Sequence, residues 1–175
     1  AERVEDDDVR PALDAVERCA SLLDRFRIVV FSPSIETMVR ATEMRDRLEL
    51  NIEILPYANH AKMLRLFSKA RVYLGVSISD AISTSMLEAM AMGAFPIQTG
   101  TSCCDEWIVD GKSGFVIPAD DVEVIAERLH QALTDDALVD RAASDNWVTV
   151  CERLDQTVQK SKAVALYDEI FSDLN

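Results

Sequence analysis

Short β-branched runs alternate with longer amphipathic stretches along most of this chain, and that alternation constrains the fold more than any other feature. The runs are 27–32 (Arg-Ile-Val-Val-Phe-Ser), 51–56 (Asn-Ile-Glu-Ile-Leu-Pro), 71–77 (Arg-Val-Tyr-Leu-Gly-Val-Ser), 95–99 (Phe-Pro-Ile-Gln-Thr) and 114–118 (Gly-Phe-Val-Ile-Pro). Near-continuous apolar runs of this length suit strands covered on both faces. Ahead of the first run, Val9, Leu13, Val16, Ala20 and Leu23 recur at helical spacing, with Pro11 tolerable in a first turn. The spacing predicts helices over 35–48, after Ser34 as N-cap, over 60–70, and over 83–92, closed by Gly93 in a left-handed conformation. Everything beyond Asp121 reads as helix, with breaks expected near Asp135 and Ser144. Strands separated by helices of this length imply a parallel sheet with right-handed crossovers. The expected fold is α/β: a doubly wound parallel sheet with helices on both faces and a long C-terminal helical tail. No repeat or Gly/Ser linker divides the chain, so 1–175 is expected to be a single domain, with 145–175 as its tail.

A doubly wound nucleotide domain normally opens with a strand whose loop supplies a glycine-rich phosphate cradle. This sequence opens instead on Glu5, Asp6, Asp7 and Asp8 and then a helix, so its first strand is expected to be missing. The 31 acidic residues against 18 basic give a net charge of −13. That sign argues against nucleic acid, whose phosphates need a basic footprint. No apolar run has the length of a membrane helix, and an acidic start is the reverse of a secretory leader. Cys19, Cys103, Cys104 and Cys151 have no ligand spacing, and His60 and His130 are the two histidines, which leaves no structural zinc pattern. Reduced thiols, packing as small side chains, and a cytoplasmic location are the expectation. His130 is read as a surface residue, and Trp107 and Trp147 as core or domain-edge packing.

In open α/β sheets ligands bind beyond the carboxyl ends of the strands. The informative end runs from Ser77 through Asp80 to Ser83, Thr84 and Ser85 at a helix start, then Leu87-Glu88-Ala89-Met90. Unpaired N–H groups and the positive dipole end at such a start favour an anion such as a diphosphate. Glu88 is flanked by Met86, Leu87, Ala89 and Met90, and a carboxylate in that setting needs hydrogen-bond donors. Two ribose hydroxyls would supply them. Glu88 could equally face solvent or pair with a lysine or arginine, and Asp80 could simply cap the helix. His60, which follows Asn59 at a helix start, reads either as a neighbour of the cap with no role of its own or as a contact of the same site.

The block from Val76 to Pro118 resembles the donor-binding half of the retaining GT-B glycosyltransferases, the family of sucrose, glycogen and lipopolysaccharide synthases. The residues that carry the likeness are Ser77, Asp80, Leu87-Glu88-Ala89-Met90-Ala91, Gly93 and Pro96, then Thr99 to Ser102, Glu106, Asp110-Gly111, Gly114 and Val116-Ile117-Pro118. Asp80 and Glu88 stand in the two acidic places of the family's E-x(7)-E signature. The resemblance covers roughly Asp24 to Leu133 and implies the Rossmann-like half of a GT-B fold. It implies a nucleotide-diphosphate sugar as donor substrate, with no cofactor and no metal, and retaining transfer of a hexose to an unknown acceptor. Glu88 would hold the ribose hydroxyls, and Asp80, the catalytic candidate, would contact the sugar near the reacting carbon. Backbone N–H groups around Ile82, Ser83 and Thr84 would meet the phosphates and sugar. Tyr57 and Ala58 would border the base, and Thr101 and Ser102 would lie near the sugar or diphosphate.

This sequence departs from the family's pattern at several points, Pro96 falling one place late among them. Asp80 is one methylene shorter than glutamate, Ala81 and Ser83 replace two glycines, and no Lys or Arg occurs from 72 to 111. The partner implied is an N-terminal acceptor-binding domain of the same protein, onto which the tail would cross. The chain alone is then expected to be inactive, and membrane association is not indicated. The alternative is a non-catalytic interaction module that retains the half-fold. A phosphoacceptor receiver domain would require an acidic pair after its first strand and a lysine after its last, and neither is present.

Overall fold

A computed structural model describes residues 9–78, 81–101 and 103–173. The described residues begin with α1 (Arg10–Arg18) and a single turn, α2 (Ala20–Leu23), where one helix through Leu23 was expected. The turn at Cys19 separates them, its N–H bonded back to the Ala15 and Val16 carbonyls. Then follow β1 (Ile28–Phe31), α3 (Ile35–Leu48), β2 (Ile52–Leu55), α4 (His60–Phe67), β3 (Val72–Gly75), α5 (Thr84–Ala91) and β4 (Phe95–Thr99). A 3-10 turn (Cys104–Glu106) leads to β5 (Phe115–Ile117), and α6 (Val122–Thr134), α7 (Asp136–Leu154) and α8 (Gln156–Asp173) complete the order.

Local chemistry sets these limits. Ser34, Asn59, Ser83 and Asp121 each accept, through a side-chain oxygen, the backbone N–H three residues on, and so start α3, α4, α5 and α6. α5 ends in a Schellman arrangement: Gly93 adopts φ +91, and the N–H of Ala94 returns to the Ala89 carbonyl. The expected break at Asp135 is present, with Asp135 capping α7. The one expected near Ser144 is not. Its hydroxyl donates to the Asp140 carbonyl one turn back, which keeps it inside α7. The break falls instead at Asp155, whose carboxylate accepts the Val158 N–H and starts α8.

Among the described residues all strand pairs are parallel, in two hydrogen-bonded groups, β1–β2 and β3–β4–β5. Ile28 pairs with Ile52 in the first; Val72 with Phe95, and Ile97 with Phe115, in the second. One core spans both groups. It joins Ala15 and Val16 of α1, Ala41 and Met44 of α3, and Ile125 and Leu129 of α6 to Ile52, Phe95, Ile97 and Phe115. On the opposite face α4 and α5 pack Phe67, Met86, Leu87, Ala89 and Met90 against Tyr73, Cys104 and Ile108. Helices therefore cover both faces, as the alternation predicts. β4 is buried along its whole length, whereas β1 is half-buried at every position.

Candidate functional site

Parallel strands send all their carboxyl ends to one edge, and the loops there lead directly into α4 and α5. Ser83 is buried at the start of α5, where its Oγ accepts the Met86 N–H at 3.3 Å and lies 3.3 Å from the Tyr73 hydroxyl. Helix geometry leaves the N–H groups of Ser83, Thr84 and Ser85 without intrahelical acceptors, so the first turn presents donors at this edge. Ile82 anchors the loop from below, packed against the core under α5. Thr84 is exposed.

The ends of β3 and β4 are tied together. The carbonyl of Ser77 accepts hydrogen bonds from the hydroxyls of both Thr99 and Thr101, and the two hydroxyls lie 3.1 Å apart. Thr99 also receives the amide of buried Gln98. Gln98 can lie over β3 because Gly75 has no side chain; a Cβ there would come within 2.1 Å of the Gln98 amide oxygen. Thr101 therefore stands at the edge as a partly tethered hydroxyl. Asp80 and Ser102 lie outside the described residues.

Glu88 is one turn beyond Thr84 on the same side of α5, the side away from buried Met86, Ala89 and Met90. Its side chain is 34% exposed, and its Oε1 is 2.7 Å from Nε2 of His60, the first residue of α4. The carboxylate meets a histidine rather than a lysine, an arginine or bulk solvent alone. This pairing across 28 positions has no signature in local sequence spacing. Its signal is topological: a strand–helix–strand–helix run puts α4 beside α5 on one face, with both helix starts at the same edge. Tyr57, 81% exposed, and half-buried Ala58 stand in the loop between β2 and α4, immediately ahead of Asn59 and His60.

The other singled-out residues sort by burial. Cys104 is fully buried, and its Sγ donates to the Thr99 carbonyl at 3.3 Å. Burial, with the nearby Asp105 charge adding to it, pushes its thiol up to about 11, so it remains protonated and is a packing group. Cys103 differs from the packing expectation: it is exposed and left-handed, with φ +48, because the chain turns sharply there into the 3-10 turn. Trp107 is half-buried with the Arg153 guanidinium 3.8 Å over its ring. Trp147 is 56% exposed, on the outer side of α7, so it is not a core residue. His130 is exposed, as expected.

Known proteins resemble this chain in sequence and in fold. The family described as "Glycosyl transferases group 1" matches residues 13–146. A Salmonella typhimurium protein named as a colanic acid biosynthesis glycosyltransferase, WcaL, is 29% identical over 126 residues, covering 66% of this chain and 31% of that protein. The chain thus spans about a third of the length of this relative. Among solved structures, the C-terminal domain of the group 1 glycosyl transferase LpcC from Francisella tularensis superposes with a TM-score of 0.68. Identity is 18%, and 85% of this chain and 81% of that one are covered. Anabaena HepE, solved with UDP and glucose, superposes with a TM-score of 0.75 at 16% identity, covering 96% of this chain and 47% of HepE. The shared fold is that of a GT-B C-terminal domain. With the family match extending over most of its length, this chain belongs to the group 1 glycosyl transferases.

Proposed function

We propose that this chain is the donor-binding half of a retaining, metal-independent glycosyltransferase that transfers a hexose from a nucleoside-diphosphate sugar. The observation that carries the reading is Glu88: a carboxylate held at the rim of α5, accessible, beside the open first turn of the same helix. A carboxylate accepts only, so two adjacent ribose hydroxyls match it as donors. With the ribose there, the diphosphate falls toward the N–H groups of Ser83, Thr84 and Ser85, where the helix dipole favours negative charge. Ile82 is assigned to shaping that turn, Tyr57 and Ala58 to flanking the base, and Thr101 and Ser102 to the sugar or diphosphate. Asp80 is assigned to the sugar ring near the reacting carbon. A titration with nucleoside diphosphates tests this reading. Wild type is expected to bind and Glu88→Ala to lose most of its affinity; a non-catalytic module predicts binding by neither, and equal binding by both contradicts the role of Glu88.

The same reading extends to the sheet. We propose that one further parallel strand, from a segment ahead of α1, lies between β1 and β3. Handedness supports this position. The crossover from β1 to β2 runs through α3 on the face shared with α1 and α6. Right-handed crossovers on one face all move the same way across a sheet. A strand feeding α1, which leads into β1, therefore lies on the side of β1 away from β2. Phe67 sits edge-on to Phe31 of β1 at 5.8 Å and to Tyr73 of β3 at 5.9 Å, bridging an interval suited to one strand. Fusing the native upstream residues should slow amide hydrogen exchange in β1 and β3; unchanged exchange contradicts the added strand. The tail is assigned to a partner domain that binds the acceptor, because α8 exposes Val164, Leu166, Tyr167 and Ile170.

A further inference from the structure

We infer that His60 is the positioning residue for Glu88, setting how its carboxylate meets the ribose diol; this rests on the donor-binding reading above. The imidazole Nε2 and Glu88 Oε1 are 2.7 Å apart, a short contact of the charge-assisted kind. The ring can be placed so closely because the start of α4 is fixed independently. Asn59 caps it, its Oδ1 accepting the Lys62 N–H at 2.9 Å, and His60 is the first residue that follows. α4 and α5 share the core formed by Phe67, Met86 and Met90, so the two helices hold the pair at a set distance.

The contact is poorly suited to a purely structural role. The His60 side chain is 68% exposed, and surface pairs of this kind add little to stability. Its effect falls on the carboxylate. A glutamate on a helix rim samples several rotamers, and one occupied oxygen selects among them. With Oε1 engaged once, Glu88 keeps both lone-pair positions of Oε2 and one of Oε1 for other donors. Two adjacent hydroxyls can use these without displacing the imidazole. The segment from 72 to 111 has no Lys or Arg, so α5 and its flanking loops supply no cation to orient Glu88. α4 supplies the group instead. Ordering the acceptor before the ligand arrives removes an entropic cost from binding.

The inference predicts a specific failure when His60 is removed: recognition of the ribose suffers while the phosphates are still bound. The test uses uridine, guanosine and adenosine diphosphates, each against its 2′-deoxy counterpart, titrated into the longest native form of the protein. Whichever base binds, wild type should favour the ribonucleotide. His60→Ala should weaken ribonucleotide binding about threefold to tenfold, the cost of ordering one side chain, and leave deoxynucleotide binding nearly unchanged. His60→Gln, which places an amide donor in the same region, should recover part of the preference. A merely structural role would lower both affinities together or alter the melting temperature instead. An unchanged preference in His60→Ala, with Glu88→Ala still impaired, overturns the positioning role and leaves the donor-binding reading standing. Wild-type affinity retained in Glu88→Ala, or no nucleotide bound by wild type, overturns both.

Discussion

The inner and outer sides of α5 are built from neighbouring residues and do opposite things. Met86, Ala89 and Met90 are wholly buried against Phe67, Tyr73 and Ile108. Thr84 and Glu88, on the other side, reach the rim where His60 meets the carboxylate. An acidic residue among methionines therefore need not be buried to be held. The apolar side fixes the helix, and the helix fixes the acid at the edge where strands β2, β3 and β4 end. On the proposed reading, stability belongs to one side and recognition to the other, so substitutions on the two sides should separate these properties.

The largest effect is expected on the buried side. Met90→Ala should cost about 2–5 kcal/mol of unfolding free energy, measured by chemical denaturation, because it leaves a cavity where the side chain is fully enclosed. Glu88→Gln should leave the unfolding midpoint nearly unchanged and weaken nucleotide binding by about 1.5–3 kcal/mol, the range for a hydrogen bond to a charged group. If Glu88→Gln instead unfolds the protein and Met90→Ala does not, the division between the two sides is wrong. Ser83→Ala lies at their junction. It should cost about 1 kcal/mol of stability through loss of the cap on Met86 N–H, checked by thermal melting.

The mildest test changes no residue. The Cys104 thiol is pushed up from 9.0 to about 11 by burial, so the unfolded chain releases this proton at lower pH than the folded one. Its contribution to stability is then fully present below about pH 9 and is lost as pH rises toward 11. Alkylation at neutral pH should label exposed Cys103 and Cys151 and spare Cys104. Rapid labelling of Cys104 in the native state would contradict the packing beneath the edge.

Much of the architecture was legible in periodicity and caps. The helix expected over 35–48 is α3 with the same limits, because Ser34 supplies a side-chain cap that competes with nothing nearby. The break assigned to Ser144 shows the limit of that logic: a serine that bonds back to Asp140 is accommodated, and the cap at Asp155 decides the helix end. The division of strands into two hydrogen-bonded groups was not legible, since strand order is set by crossover handedness rather than by any residue pattern. Glu88 stood out because its neighbours are apolar. His60 was legible as a cap neighbour or a contact of the same site, but its pairing with Glu88 was not, because the two meet only once α4 and α5 pack side by side. Cys103 and Cys104, adjacent and chemically identical, part company for a similar reason: a left-handed turn puts one outside and the other in the core.

The most direct test of the account is a crystal structure of the protein with a bound nucleoside diphosphate. The account predicts the two ribose hydroxyls within hydrogen-bonding distance of the Glu88 carboxylate, the diphosphate at the first turn of α5, and His60 still against Oε1. A nucleotide bound elsewhere, with the pair of Glu88 and His60 untouched and facing water, would contradict it.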